Sequence, residues 1–470
     1  MIISIIPLIL PEKQQEKVNL WLTTSDQSHL LSPQESLEFD NIEEGNIPTI
    51  QVDPTVKYQT MDGFGAAITG SSAYLISHIL SSEQRNSLLN DLFTKDGIRI
   101  SYIRHTIGAS DFSVDENGNP SSYTYNDIES GTDFALENFS IEKDKDIIKL
   151  LQDIDTTNNQ IKILGTPWTA PAWMKYGYQQ LNGWYLNYKD KRIYETYADY
   201  FVKYIQIYKS HGVSIDAITI QNEPEFTSES YPSMSMGAEE QAMFIKNYLG
   251  PAFSENNLST KIIGYDHNWN NGENYSKNLL KDKETRKYVD GTAFHCYEGE
   301  PASMSSVHNS FPSKNIYLTE CSGGDWSPDF GNNLNWYMSK LIIGAPRNWA
   351  KTVLFWNIAL DQNGGPTNGG CTDCRGVVTI NKDNGTVSKN AEYYAIGHAS
   401  KFVEPGAVRI STTHYNGILE TVGYKNPDGS IVLIVANTSS NTESFQVNYK
   451  TEAFNYEMEP NSAVTFKWEG

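Results

Sequence analysis

The sequence predicts an α/β protein: a (β/α)₈ barrel with an attached all-β sandwich built from the C-terminus and N-terminal strands. Three observations lead there. From about residue 48, short apolar runs alternate with amphipathic stretches, the pattern of a repeating βα unit. That alternation ends near Pro405, beyond which strand-like runs follow one another with turn signals between them. The chain has 470 residues, enough for a barrel of about 250 residues or more and a smaller module.

Taken in order, residues 61–67, 98–104, 161–165, 215–220, 261–265, 291–295, 315–319 and 352–356 read as the eight barrel strands. Helical patterns fill the gaps. Residues 194–210 carry Tyr197, Tyr200, Phe201, Tyr204, Ile205 and Tyr208 at three- and four-residue spacings, which makes one apolar face. Residues 239–249, 334–343 and 391–402 read the same way. The β module is expected from 408–412, 418–424, 431–436, 444–449 and 463–468, with a turn at Asn426-Pro-Asp-Gly-Ser430. N-terminal strands near 18–23 and 47–52 would complete its sheets, because β edges need partners. The expected division is 1–15 as the remnant of an export segment or disordered, 16–57 joining the sandwich, 58–404 the barrel and 405–470 the sandwich.

Composition narrows the function. Hydrophobic residues make up 39% and charged residues 20%, so the chain buries a sizeable core. Lys and Arg total 36 against 57 Asp and Glu, a formal charge of −21. Such a protein is repelled by phosphate backbones, so a nucleic-acid partner is not expected. The first ten residues are apolar but fall far short of the roughly 20 that span a bilayer, and no stable membrane insertion is expected. They suit the end of a secretory signal, which makes an exported protein, extracellular or periplasmic, the expected location. There are four cysteines, too few for a disulfide scaffold. Cys371 and Cys374 form a loop pair, either a disulfide or free thiols, while Cys296 and Cys321 stand alone. A zinc site would need all four to converge, and no metal is expected. The nine histidines form no H-E-x-x-H pattern, and Gly63-Phe-Gly-Ala-Ala-Ile68 lacks the third glycine of a dinucleotide fingerprint. A close approach of backbone to neighbouring strands explains those glycines better.

The active site of a (β/α)₈ barrel lies at the C-terminal ends of its strands. Those ends are rich in polar and aromatic groups. Arg104-His105 closes the second strand, with Asp111 just beyond, and Thr166-Pro-Trp-Thr-Ala-Pro-Ala-Trp173 follows the third. Gln221-Asn-Glu-Pro224 follows the fourth, Asp266-His-Asn268 the fifth and His295-Cys-Tyr297 the sixth. Glu320 ends the seventh strand and Trp356-Asn357 the eighth. A glutamate at a strand end is commonly a structural hydrogen-bond or ion-pair partner. Glu223 on strand four and Glu320 on strand seven together are the pair that glycoside hydrolysis needs. One protonates the leaving oxygen and the other attacks or activates water. Asn222 suits a sugar hydroxyl or a satisfied turn amide, and Asp111 suits sugar hydroxyls or a loop cap. Trp168 and Trp356 suit the floor of a sugar pocket as well as barrel-end packing. Arg104 is placed to hold a carboxylate in its charged form.

Six motifs in order, Met61 to Thr69, Gly165 to Lys175, Thr219 to Pro224, Phe294 to Tyr297, Leu318 to Glu320 and Phe355 to Leu360, resemble glycoside hydrolase family 30. The resemblance runs from about residue 58 to the C-terminus. It implies a (β/α)₈ barrel with a β-sandwich, and cleavage of β-glycosides with retention. Glu223 then corresponds to the general acid/base and Glu320 to the nucleophile. Arg104, Asp111, Trp168, Asn222, His295, Tyr297 and Trp356 fall where the family's glucose-pocket residues lie. Within the family, Gly370 to Cys374 and the stretch from Tyr393 to Arg409 look most like the endo-β-1,6-glucanase branch. The glucosylceramidases are a more distant branch, and exo-acting β-glucosidases or β-xylosidases another alternative. From a different class, a non-catalytic carbohydrate-binding barrel would be expected to lack one of the two glutamates.

The resemblance implies a β-glucan or β-glucoside as substrate and no metal or organic cofactor. Position 321 departs from the branch, a cysteine standing where a bulkier neighbour of the nucleophile is expected. The carboxyl separation is expected at about 5–5.5 Å, the retaining spacing. The charge of Glu320 is expected to raise the pKa of Glu223 and so keep it protonated.

Overall fold

The computed structural model describes residues 17–470 apart from 43, 44, 46, 178 and 179. The expected export segment lies outside the described residues. Eight parallel strands close into a barrel: Gly63–Ile68, Tyr102–Ile107, Lys162–Pro167, Ala217–Thr219, Lys261–Asn268, Val289–His295, Asn315–Glu320 and Ala350–Asn357. They neighbour one another in sequence order, and the eighth pairs with the first through Thr352 and Gly63. The second strand begins later than the apolar run suggested. Arg99 takes a positive φ of 54°, and Ile98 and Ile100 donate to Asp91 and Leu92 of the preceding helix rather than to a strand.

Tyr102, Leu164, Ala217, Ile263, Ala293, Tyr317 and Leu354 form one buried cluster of barrel-strand residues. Gly65 is needed there. A Cβ at this position would meet the Tyr102 carbonyl oxygen at 1.9 Å, the close backbone approach that the glycine pair implied. Outside the barrel, helix Lys191–Ser210 buries the tyrosine face read from its spacing, and the Asp190 side chain caps its start by accepting from the Arg192 N–H. The run at 239–249 continues to Glu255 through a widened turn at Ile245–Leu249.

The sandwich draws on both ends of the chain. Lys17–Thr23 pairs antiparallel with Ser462–Trp468, and Thr49–Thr60 lies between Val408–Thr412 and Glu443–Tyr449. A strand absent from the sequence reading, Glu452–Met458, pairs with Glu443–Tyr449; Glu452 and Glu457 interrupt its apolar pattern. Trp468 is 2% exposed, in a core with Phe39, Tyr449 and Phe454. Buried hydrogen bonds join the module to the barrel's last helix. His398 Nδ1 and Nε2 sit 2.9 and 2.8 Å from the hydroxyls of Thr465 and Thr23. No helix among the described residues is long and apolar enough to cross a membrane.

Candidate active site

A cavity of about 290 Å³ opens at the C-terminal ends of the barrel strands. Asp111, Trp168, Asn222, Glu223, Tyr297, Glu320 and Trp356 line it, and Arg104 and His295 lie buried beneath them. All nine residues singled out in the sequence therefore converge. Tyr231, Trp326, Cys371 and Cys374 complete the wall.

Arg104, fully buried on the second strand, organises the floor. Its Nη1 donates to Glu320 Oε2, its Nη2 to Asn222 Oδ1 at 2.6 Å and to Asp266 Oδ2 at 3.0 Å. With its oxygen taken by arginine, the Asn222 amide keeps its N–H₂ group for the cavity. Glu320 receives a second donor from the Tyr297 hydroxyl, at 2.8 Å on Oε1. Both oxygens are thus held, which fixes the carboxylate plane.

Glu223 is positioned by a different set of contacts. Its backbone takes a φ of 45°, in the left-handed region, and its N–H donates to the Asp266 carbonyl at 3.0 Å. Asp266 itself has a φ of 83°. With Tyr265, at 68°, three non-glycine residues take this region at adjacent strand ends and mark a locally strained backbone. Glu223 Oε1 lies 3.1 Å from His295 Nδ1 and 3.8 Å from His267 Nε2.

His295 bridges Glu223 to Asp266, whose Oδ1 is 3.0 Å from Nε2. Burial disfavours the imidazolium, but the charges of Glu320 and Asp266 outweigh it and push the His295 pKa up to about 9. Both ring nitrogens then donate. Burial also works against the charge on Asp266, yet Arg104 and His295 hold its carboxyl well below the usual range. Thr219 and Thr319 add hydroxyl donors at 2.7 and 2.6 Å.

The expectation for Glu223 is corrected by this arrangement. Burial raises its pKa, but the hydrogen bond and charge of His295, with His267 and Arg104, outweigh it, so the carboxyl sits below its ordinary value. The cation one hydrogen bond away counts for more than the anion across the cavity. Asp111 behaves in the opposite way. Burial first, then the charges of Glu320 and Glu223, push its carboxyl well above the ordinary value, and its Oδ1 has no partner among the described residues. A Cβ at Gly370 would come within 2.6 Å of Asp111 Oδ2, so a glycine there makes room for the carboxyl.

Trp168 and Trp356 stack at 5.1 Å and 24°, with the Arg104 guanidinium 5.0 and 5.3 Å from their centroids. They are 2% and 3% exposed. The pair packs the barrel end and both residues line the cavity.

One oxygen each of Glu223 and Glu320 and one nitrogen of His295 lie within 4.8 Å of one another. These are metal-ligating types, and each is already engaged within the chain: His295 contacts Glu223 and Asp266, and both Glu320 oxygens accept from Arg104 and Tyr297. The four cysteines are likewise spent in two disulfides. Cys371 pairs with Cys374, and Cys296 pairs with Cys321 across 25 residues of sequence. The second pairing corrects the reading of Cys296 and Cys321 as solitary. It ties the end of strand six, between His295 and Tyr297, to the residue after Glu320.

Asp266 and the 296–321 disulfide are the functional features that sequence reasoning missed. Asp266 had a signal, its place at the end of strand five, but nothing distinguished it from the neighbouring His267 and Asn268.

Comparison with known proteins places this geometry. Residues 61–403 match the model for the glycosyl hydrolase family 30 TIM-barrel domain, and 406–466 the model for that family's beta sandwich domain. Endo-1,6-beta-D-glucanase neg1 of Aspergillus fumigatus is 36% identical over 415 residues, 84% of this chain and 81% of that protein. Putative glucosylceramidase 3 of Caenorhabditis elegans is 30% identical, over 77% of this chain and 70% of that one. Among solved structures, the endo-beta1,6-glucanase BT3312 superposes with a TM-score of 0.88 at 35% identity, covering 97% of this chain and all of that one.

Proposed function

We propose that this chain, which belongs to glycosyl hydrolase family 30, is an endo-acting β-1,6-glucanase that works by double displacement with retention. One observation carries the mechanism: an oxygen of Glu223 and an oxygen of Glu320 lie within 4.8 Å of each other beside the cavity, so both carboxyls reach one glycosidic bond. That approach supports the retaining arrangement, with carboxyl groups about 5–5.5 Å apart, over the inverting one, which needs about 6.5–9.5 Å to admit water. The linkage is supported by relatives that bear the endo-1,6-glucanase name and match over most of both chains.

Glu320 is the nucleophile. Held in place by hydrogen bonds from Arg104 and Tyr297, it attacks the anomeric carbon as the bond to the leaving oxygen breaks. Glu223 is the acid that protonates that oxygen. In the resting site its proton is stored on His295 Nδ1, 3.1 Å away, and crosses to Oε1 as negative charge develops on the departing oxygen. Once Glu320 is esterified its negative charge is gone, and Glu223 accepts a proton from water as that water attacks the same carbon and frees Glu320; the proton then passes from Oε1 to His295 Nδ1 and restores the resting site. Asp111, which lines the cavity, accepts from sugar hydroxyls, and the Asn222 amide donates to them. The Trp168–Trp356 edge receives the apolar C–H side of the ring.

Two disulfides support an oxidising location, outside the cytoplasm. The test of activity is incubation with linear β-1,6-glucan, with Glu320→Gln as control. Early release of mixed gluco-oligosaccharides, absent in the variant, is expected. Release of glucose alone would replace the endo reading with a chain-end glucosidase.

A further inference from the structure

The catalytic cavity does not end at Glu320. A second cavity, of about 480 Å³, adjoins it on the side of strand seven, and Tyr297 and Trp326 line both. Trp336 and Asn332 form the far wall, with Ser322 and Gly323 behind. Trp326 is 55% exposed and Trp336 38%. Two indoles left open beside an active site, in a protein that buries most of its other large apolar side chains, mark a contact surface.

The platform is built to keep its shape. A Cβ on Gly324 would fall 2.0 Å from the Trp326 ring, so the glycine lets the indole lie against the main chain. Asn333 Nδ2 donates to the Ser327 carbonyl at 2.7 Å and pins the loop that carries Trp326. Trp336 ends helix Phe330–Trp336 and packs at 82° against Tyr337.

The lining also selects the ligand. No residue around this cavity is charged, although the chain carries a net −21. None is a leucine, isoleucine, valine or phenylalanine, so the surface is not that of an acyl-chain groove. Exposed ring faces flanked by amide and hydroxyl groups suit a neutral polyol, whose axial C–H bonds pack on an indole while its hydroxyls meet asparagine and serine. Continuity through Tyr297 and Trp326 makes that polyol part of the same molecule that fills the catalytic cavity.

We infer that this second cavity is a glycosyl subsite in which Trp326 and Trp336 hold a glucose unit of the chain whose neighbouring unit occupies the catalytic cavity. The inference rests on the glucanase reading and names where the polymer extends.

Two measurements test it. In Glu320→Gln protein, saturation with β-1,6-linked glucohexaose should protect Trp326 and Trp336 from oxidation by N-bromosuccinimide, read by peptide mass spectrometry. Trp184, 45% exposed and lining neither cavity, should oxidise as before. Unchanged oxidation of Trp326 and Trp336 at saturation overturns the subsite. The second measurement is kcat/KM over the series from disaccharide to hexasaccharide. Trp336→Ala should lose about tenfold on the longest substrate and Trp336→Phe should recover most of that loss. A wild-type profile in Trp336→Ala overturns the subsite and leaves the glucanase reading intact. Failure of wild-type protein to cleave any member of the series overturns that reading, and the sugar occupant with it. A loss seen only on glucosylceramide in detergent micelles replaces the sugar by a lipid and overturns the assignment.

Discussion

His295 Nε2 lies 3.0 Å from Asp266 Oδ1, and neither side chain reaches solvent. Through this contact the buried carboxylate of strand five governs the proton that strand six offers to Glu223. Asp266 also binds Arg104, the residue that holds Glu320. One aspartate therefore binds a neighbour of each glutamate, Arg104 beside Glu320 and His295 beside Glu223.

Replacing that aspartate should be costly in a particular way. Asp266→Asn removes the one carboxylate that Arg104 and His295 share and leaves them Glu320 and Glu223 alone, so stability should fall, by up to about 3–5 kcal/mol. In the fraction that folds, kcat should fall about a hundredfold or more with a smaller change in KM, because the charges act on the reacting groups. Chemical denaturation and steady-state kinetics on one aryl β-glucoside check both effects. An unchanged kcat would remove Asp266 from the proton path.

Stability should fall on the alkaline side for a reason that can be isolated. The folded-state pKa of His295 is about 9, above its ordinary 6.5. A group raised on folding contributes its full stabilisation below about pH 6.5 and loses it as pH climbs through about 9. A shift of this size corresponds to about 3 kcal/mol. Denaturation at intervals from pH 6 to 9.5 should show the decline in wild-type protein and a flatter curve in His295→Gln.

The two glutamates should be separable by rescue. Glu223→Ala should retain glycosylation on substrates with good leaving groups, and azide should restore turnover by giving the β-glucosyl azide, since a small anion fits the emptied acid position. Glu320→Ala should be lost on every substrate and, if azide acts at all, should give the α-product. Product configuration by NMR distinguishes the roles. The β-azide from Glu320→Ala would exchange them.

The disulfide between Cys296 and Cys321 should matter for rate as well as stability. Closing a loop of 25 residues is worth about 3 kcal/mol in the chain-entropy account. The paired Cys296→Ser, Cys321→Ser variant should lose roughly that much, and kcat should fall more than in the Cys371→Ser, Cys374→Ser control, which ties only a three-residue separation. Equal loss in the two double variants would mean that the strand-six tie does not position Glu320.

Much of this was legible beforehand because it is local. Apolar runs of five to seven residues announce barrel strands, and reading what closes each run delivers Arg104, Glu223, His295 and Glu320 at one face. What stayed hidden depends on neighbours in space. Cys296 and Cys321 pair because strands six and seven lie side by side with His295 beside Glu320, a register no spacing rule reveals. The pKa of Glu223 was read from Glu320, two charges being visible in the sequence, whereas the nearer cation on His295 needed a distance. The second cavity escaped for the same reason: Trp326 and Trp336 sit in a loop and a helix whose shared opening exists only once Gly324 lets the indole fold back.

Double displacement requires that Glu320 bond covalently to the sugar. Incubating the protein with 2-deoxy-2-fluoro-β-glucosyl fluoride should trap the intermediate, since the fluorine slows its hydrolysis more than its formation. Peptide mass spectrometry should then find one fluoroglucosyl group on Glu320. A label on Glu223, or active protein that turns over without ever carrying a label, would contradict the account.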